Sequence, residues 1–169
     1  STHRMAMLRL ALKGNTHFSI SDTEMRREEV SYTIDTINRF RLKYSSSELY
    51  LIMGYDNLLD LDLWKDSREI MKNCHILVAS RPGLKAFHST GKIFGLFNGD
   101  SPYRLGKIKN KTQEFIHRET GKKLVVYGIS PRDISSSVVR ERLVLGKSVD
   151  NLLPPEVETY IIEHQIYKI

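Results

Sequence analysis

Apolar and polar positions along the chain alternate with two different periods, which divides most of it into short helices and strands. Arg4 to Leu12 places Met5, Leu8 and Leu12 at helical spacing, and Gly14-Asn15 stops the run. Phe18-Ser19-Ile20 reads as a short strand. Thr33 to Tyr44 predicts a helix with Ile34, Ile37 and Phe40 on one face. Leu49-Tyr50-Leu51-Ile52-Met53 is continuously apolar and ends at Gly54, the pattern of a parallel strand buried on both faces. Asn57 to Leu63 and Ser67 to Asn73 predict short helical pieces. His75 to Ala79 is a second apolar strand, stopped by Arg81-Pro82-Gly83. Leu124 to Tyr127 is a third. Ser136 to Leu145 reads as helix closed by Gly146, and Pro155 to His164 as a last helix with Pro155 in its first turn.

Strands alternating with helices predict an α/β fold built on a parallel sheet flanked by helices. Ligands of such sheets bind beyond the carboxyl ends of the strands. That rule singles out Gly54-Tyr55-Asp56, Ser80-Arg81 and the residues from Gly128 onward. Residues 84–123 have no clean period. Within them Lys92 to Gly99 reads as a hairpin arm, and the whole stretch as a variable insertion serving as a lid or an oligomerisation segment, or else as an apolar loop packed on its own domain. No repeat or linker interrupts residues 1–169, which predicts a single domain.

Composition narrows the setting. The 169 residues are 40% hydrophobic and 27% charged, as in ordinary globular proteins. No apolar run reaches the length of a membrane span, and Ser1-Thr2-His3-Arg4-Met5 is not a signal peptide. The single cysteine, Cys74, rules out an internal disulfide, fits a reducing, cytoplasmic compartment, and reads as a small core residue. A net charge of +6 favours anionic partners such as nucleotides, nucleic acid or acidic lipid without choosing among them. Lys107, Lys109 and Lys111 read as a solvated loop.

Four places carry candidate chemistry. Ile134-Ser135-Ser136-Ser137-Val138-Val139-Arg140 opens a helix with three hydroxyls and places an arginine about one turn in. Free N–H groups and the dipole at such an end can hold phosphate, and Arg140 can clamp its oxygens. A serine-capped helix without a ligand has the same appearance. Gly54 permits close approach of a ligand to the backbone, while Asp56 can either accept from a sugar or base or cap a following helix. Trp64, the one tryptophan, offers a flat face for an aromatic ring or packs in the interior. Ser31-Tyr32-Thr33-Ile34-Asp35-Thr36 places a ring and hydroxyls at a helix start, suited to a small planar carboxylate or to simple capping by Ser31 or Thr33. Arg81 can meet a phosphate or a surface carboxylate. The six histidines show no metal-ligand spacing, so no metal site is expected, and there is neither a Ser-His-Asp signature nor a P-loop.

In this order, Ser31–Thr36, Gly54-Tyr55-Asp56-Asn57-Leu58, Trp64, Ser80-Arg81-Pro82-Gly83 and Ile134–Arg140 resemble the bacterial nicotinate-nucleotide adenylyltransferases. The opening His3–Met7 and the tail Leu152 to Ile161 are similar to that family's first long helix and closing helix. The resemblance covers nearly everything except residues 84–123. It implies a Rossmann-like nucleotidyltransferase fold and transfer of the adenylyl group of ATP to nicotinate mononucleotide, giving deamido-NAD and pyrophosphate, usually with Mg²⁺. Attack by the mononucleotide phosphate on the α-phosphorus would be direct and in line, so catalysis would rest on positioning and charge stabilisation. On this resemblance Ser135, Ser136, Ser137, Arg140, Gly54 and Asp56 serve ATP, and Tyr32, Thr33, Trp64 and Arg81 serve nicotinate mononucleotide. Ser137 stands where the family usually has threonine, and Tyr55 where it usually has a small residue. The family's first strand and its His-x-Gly-His motif have no counterpart here, so the catalytic histidines are expected upstream of Ser1. An adenylyltransferase with another acceptor, such as phosphopantetheine, is the enzyme alternative, although a flexible thiol arm has no need of Tyr32 and Trp64. A non-catalytic basic module binding nucleotide or RNA is the other alternative. A membrane partner is not expected, a nucleic acid is disfavoured, and homo-oligomerisation is left open.

Overall fold

The computed structural model describes residues 2–80, 89–109, 112–130 and 134–167. Two compact units are present, one made of Glu29–Pro131 and the other of Ser1–Glu28 with Arg132–Ile169.

Glu29–Pro131 is built on a five-stranded sheet. Its elements in chain order are α2 (Thr33–Lys43), β1 (Tyr50–Gly54), α3 (Tyr55–Leu59), a 3₁₀ turn (Leu61–Leu63), α4 (Ser67–Asn73), β2 (His75–Ser80), α5 (Ser89–Gly95), a second 3₁₀ turn (Leu96–Gly99), β3 (Tyr103–Lys109), β4 (Thr112–His117) and β5 (Lys123–Gly128). The strand order is β1-β2-β5-β4-β3. β1, β2 and β5 run parallel, with Met53 beside Val78 and Val78 beside Val126, whereas β4 pairs antiparallel with β5 and β3 pairs antiparallel with β4 at the edge. The α/β sheet flanked by helices is therefore the predicted one, with a mixed edge in place of an all-parallel sheet.

One face of this sheet holds the core. Ile76, Val78, Leu124, Val126 and Phe115 on the strands meet Ile34 and Ile37 of α2, Leu58 of α3, Ile70 and Met71 of α4, and Ile93 and Leu96. Fully burying each such side chain contributes about 1.5–3 kcal/mol before entropy is counted. The opposite face is more open: Ile52 is 67% exposed, and Leu77 and Val125 are only partly covered. The continuous apolar run of β1 is thus not buried on both faces, because within these residues the helices pack on one side.

Two predicted strands are absent. Phe18 is 63% exposed in an irregular segment, since an isolated aromatic among polar neighbours gives a strand nothing to pack against. Lys92 to Leu96 is helical and not a hairpin arm, because Ile93 and Leu96 fall at helical spacing and are both buried; Phe97 and Asn98 then turn the chain with left-handed backbone. The antiparallel hairpin of this region is β3–β4, with a register shift between Leu105 and Ile108. Lys107 and Lys109 lie on β3 and not in a loop, where charges protect an exposed edge; Lys111 lies outside the described residues.

The other unit comprises α1 (Thr2–Ala11), α6 (Ser136–Val144) and α7 (Pro155–Glu163). Met5, Val139, Val149, Val157 and Ile161 are buried. The imidazole of His3 and the hydroxyl of Tyr160 share a 3.0 Å hydrogen bond between α1 and α7. Gly146, at φ +62°, ends α6: its N–H donates to the Leu143 carbonyl, and the Lys147 N–H donates back to Arg142 at 2.8 Å. This double closure needs a left-handed residue, which is why the helix stops at the glycine.

Candidate active site

β1 delivers Gly54 to its carboxyl end, where the chain turns directly into α3. Gly54 has φ −75°, a value open to any residue, and a Cβ built on it would touch nothing within 4 Å. Neither backbone nor packing calls for glycine here; what the missing side chain leaves is open space over the strand end. α3 starts at Tyr55, earlier than the sequence suggests, so exposed Asp56 lies inside the first turn and does not cap it. An exposed carboxylate in the first turn of a short helix is available to accept a hydrogen bond. Tyr55 packs against the core, and burial pushes its phenol above the ordinary value.

Tyr32 is the residue flanking α2, with extended backbone at φ −101° and ψ 150°, and its own side chain makes no capping hydrogen bond. The N–H groups of Asp35 and Thr36 donate to the Tyr32 carbonyl. Thr33 is partly buried as the first helical residue, and the Tyr32 ring is 41% exposed.

Trp64 closes the Leu61–Leu63 turn, its N–H donating to the Leu61 carbonyl at 3.2 Å and its own carbonyl accepting from Ser67 N–H at 3.2 Å. The indole is partly buried against the core. Asp62 fixes the turn from the other side: its carboxylate accepts the Phe97 N–H and its carbonyl the Ser67 hydroxyl, each at 3.4 Å. Arg68 lies 4.1 Å over the Phe97 ring and pairs with Asp100 at 2.7 Å. The aromatic platform therefore sits on a turn held at several points.

The structure joins two of the sequence-predicted segments. The Lys65 ammonium lies 4.3 Å above the Tyr32 ring, which brings the Trp64 turn to the start of α2. Lys65 was not singled out by sequence reasoning, although a cation directly following the only tryptophan is a legible signal. Arg81 lies outside the described residues.

In the other unit, Ser135 flanks α6 and its hydroxyl accepts the Val138 N–H at 3.2 Å. That hydroxyl caps the helix, leaving Ser136, Ser137 and Arg140 exposed on its first turns. Arg140 enters no ion pair among the described residues.

Other reactive groups are engaged in the fold. Cys74 is buried, and desolvation pushes its thiol up to about 11, far from a nucleophile's range. A cavity of about 570 Å³ lies at the amino ends of β1, β2 and β5, opposite to the ligand end of the sheet. Its lysines are committed: Lys122 to Glu48, and Lys72 to Glu119. No three His, Cys, Asp or Glu side chains come together as a metal site among the described residues, and no helix there is long and apolar enough to cross a membrane.

Comparison with known proteins agrees with the fold. Residues 1–142 match the family described as cytidylyltransferase-like. A relative from Geotalea daltonii, named "Probable nicotinate-nucleotide adenylyltransferase", is 37% identical over 166 residues, spanning 97% of this chain and 73% of that protein. A Pelobacter propionicus relative of the same name is 34% identical over 164 residues, with the same coverage. Among solved structures, the Plasmodium falciparum nicotinic acid mononucleotide adenylyltransferase complexed with APC superimposes with a TM-score of 0.64, covering 98% of this chain and 75% of that one; at 18% identity this likeness concerns the fold. A mostly parallel sheet with an open strand end, an aromatic turn beside α2, and identity above 30% over 97% of the chain lead to one assignment: the chain belongs to the nicotinate-nucleotide adenylyltransferases, within the cytidylyltransferase-like family.

Proposed function

We propose that the protein transfers the adenylyl group of ATP to nicotinate mononucleotide, releasing pyrophosphate and forming deamido-NAD. The observation that carries this reading is the Lys65 ammonium over the Tyr32 ring, which sets the turn bearing Trp64 at the start of α2 in a chain of this family: an indole, a second ring and a cation suit a flat, anionic pyridine ring. Nicotinate-nucleotide adenylyltransferase is also the name of its relatives.

Each residue's task follows from its own chemistry. Trp64 stacks on the pyridine, and Tyr32 and Thr33 bound the same pocket. Gly54 leaves room for the nucleotide over the strand end, and Asp56 accepts from a ribose hydroxyl or base amine. Ser136 and Ser137 donate to phosphate oxygens at the start of α6, where the dipole favours negative charge; Ser135 shapes that end by capping it. Arg140 supplies a fork for the same oxygens. Arg81 is assigned to the mononucleotide by its place in the sequence. Catalysis of this kind rests on positioning, which converts an encounter of two anions into an in-line approach. Mg²⁺ suits this donor set as part of the substrate, MgATP, because hard cations of its size bind substrate phosphates with few protein ligands.

Pyrophosphate release tests the reading. Release is expected only when ATP and nicotinate mononucleotide are both present, with deamido-NAD in equal amount. Release with phosphopantetheine and not with the mononucleotide would overturn the acceptor. Steeply salt-dependent RNA binding without turnover would favour a binding module.

A further inference from the structure

We propose that His3 of α1 and His164, the residue that follows α7, together bind one divalent transition-metal ion of the Zn²⁺ class, which clips α1 to α7. The two imidazoles stand with ring centres 5.6 Å apart and planes 68° apart. Two rings sharing one ion through bonds of about 2.0–2.1 Å, at a tetrahedral angle, have centres about 5 Å apart, so the pair stands close to the required separation. Spacing along the chain conceals it, because the two histidines come from nearly opposite ends of the sequence.

Tyr160 prepares both rings. The Nδ1–H of His164 donates to the Tyr160 backbone carbonyl at 3.0 Å; a carbonyl only accepts, so the neutral ring carries its lone pair on Nε2. Nδ1 of His3 shares a 3.0 Å hydrogen bond with the Tyr160 hydroxyl, which a ring bound to metal through Nε2 makes by donating from Nδ1. The Tyr160 ring also stacks on His164, with centres 3.9 Å apart. One residue thus gives both imidazoles the outer partner that orients a metal-ligating histidine and raises its basicity. Neither Nε2 enters a hydrogen bond or ion pair among the described residues. Both histidines are exposed, so an ion arrives from solvent and keeps water in its remaining positions. Imidazole donors favour zinc, nickel or copper over magnesium, which separates this site from the Mg²⁺ that accompanies ATP. A clip that closes so long a loop restricts the unfolded chain most, so bound metal stabilises the fold.

Calorimetric titration of EDTA-stripped, tag-free protein with ZnCl₂ tests the assignment, with MgCl₂ as the control. One saturable zinc site per chain is expected, with a melting temperature that rises with zinc and falls back on adding EDTA. His3→Gln and His164→Gln each abolish that isotherm, and His17→Gln leaves it intact. Tyr160→Phe, which removes the partner of His3 and keeps the carbonyl for His164, weakens zinc about tenfold. Where a glutamine variant fails to fold, imidazole ¹⁵N NMR of wild type decides: equimolar zinc is expected to shift Nε2 of His3 and His164 together. An isotherm that survives in either glutamine variant, a zinc shift confined to other histidines, an equal response to Mg²⁺, or no stoichiometric binding by wild type overturns the proposal.

Discussion

Trp64 shows how a single residue is placed for a ligand by features that do not involve the ligand. The indole rests partly on the core, and its backbone is fixed by Leu61, Ser67 and the Asp62 contacts. Little ordering is therefore left for binding to supply. Trp64→Ala is expected to weaken nicotinate mononucleotide by about 1–3 kcal/mol, the scale of stacking on an aromatic side chain, with calorimetry as the measurement and ATP affinity as the internal reference. The residue's identity was legible in the sequence, because a lone tryptophan between an acidic turn and a helix start stands out. Its neighbourhood was not: Tyr32 and Lys65 meet across more than thirty residues of chain through tertiary packing, which no local pattern encodes. Arg81 and the hydroxyls of Ser136 and Ser137 remain readings from sequence order and helix chemistry.

At the level of elements, the parallel strands were readable because their apolar runs are uninterrupted, and α6 because Ser135 and Gly146 mark both ends. β3 was hidden by Arg104, Lys107 and Lys109, which give an edge strand the look of a loop. The β4–β5 connection carries a pH response. His117 is buried, and its Nδ1 accepts the N–H groups of Glu119 and Thr120 at 3.2 and 3.4 Å, so the neutral ring organises the turn. His75 is similar: Nδ1 accepts the Lys123 N–H at 3.0 Å. Burial, the larger cause in both, holds each imidazole below its usual 6.5. The unfolded chain then binds more protons than the folded one in the window just below 6.5, and stability rises with pH there. Their contribution is complete above pH 6.5 and is lost as pH falls from 6.5 through the depressed folded values. Urea melts at pH 7.5 and at pH 5 are expected to show lower stability at the acid end. His117→Asn, which keeps an acceptor near Nδ1 without the titration, should reduce that difference; an unchanged slope would remove His117 as its source.

For the whole molecule, charge and room for the ligand are the governing quantities. A net charge of +6 faces two anionic substrates, so raising ionic strength from about 50 to about 300 mM should weaken ATP more than the less charged mononucleotide. Equal salt dependence in paired titrations would indicate that bulk charge does not assist triphosphate capture. The composition foretold the sign of the partners, while the identity of the partners needed the ordered segments. Gly54 adds a consequence of another kind. With an unstrained φ and nothing within 4 Å of a built Cβ, Gly54→Ala should melt at the wild-type temperature and yet lose affinity for ATP. Demands of folding and demands of ligand retention are uncoupled at that position, so a heat-tolerance screen of a variant library would pass it over while a nucleotide-capture screen would flag it.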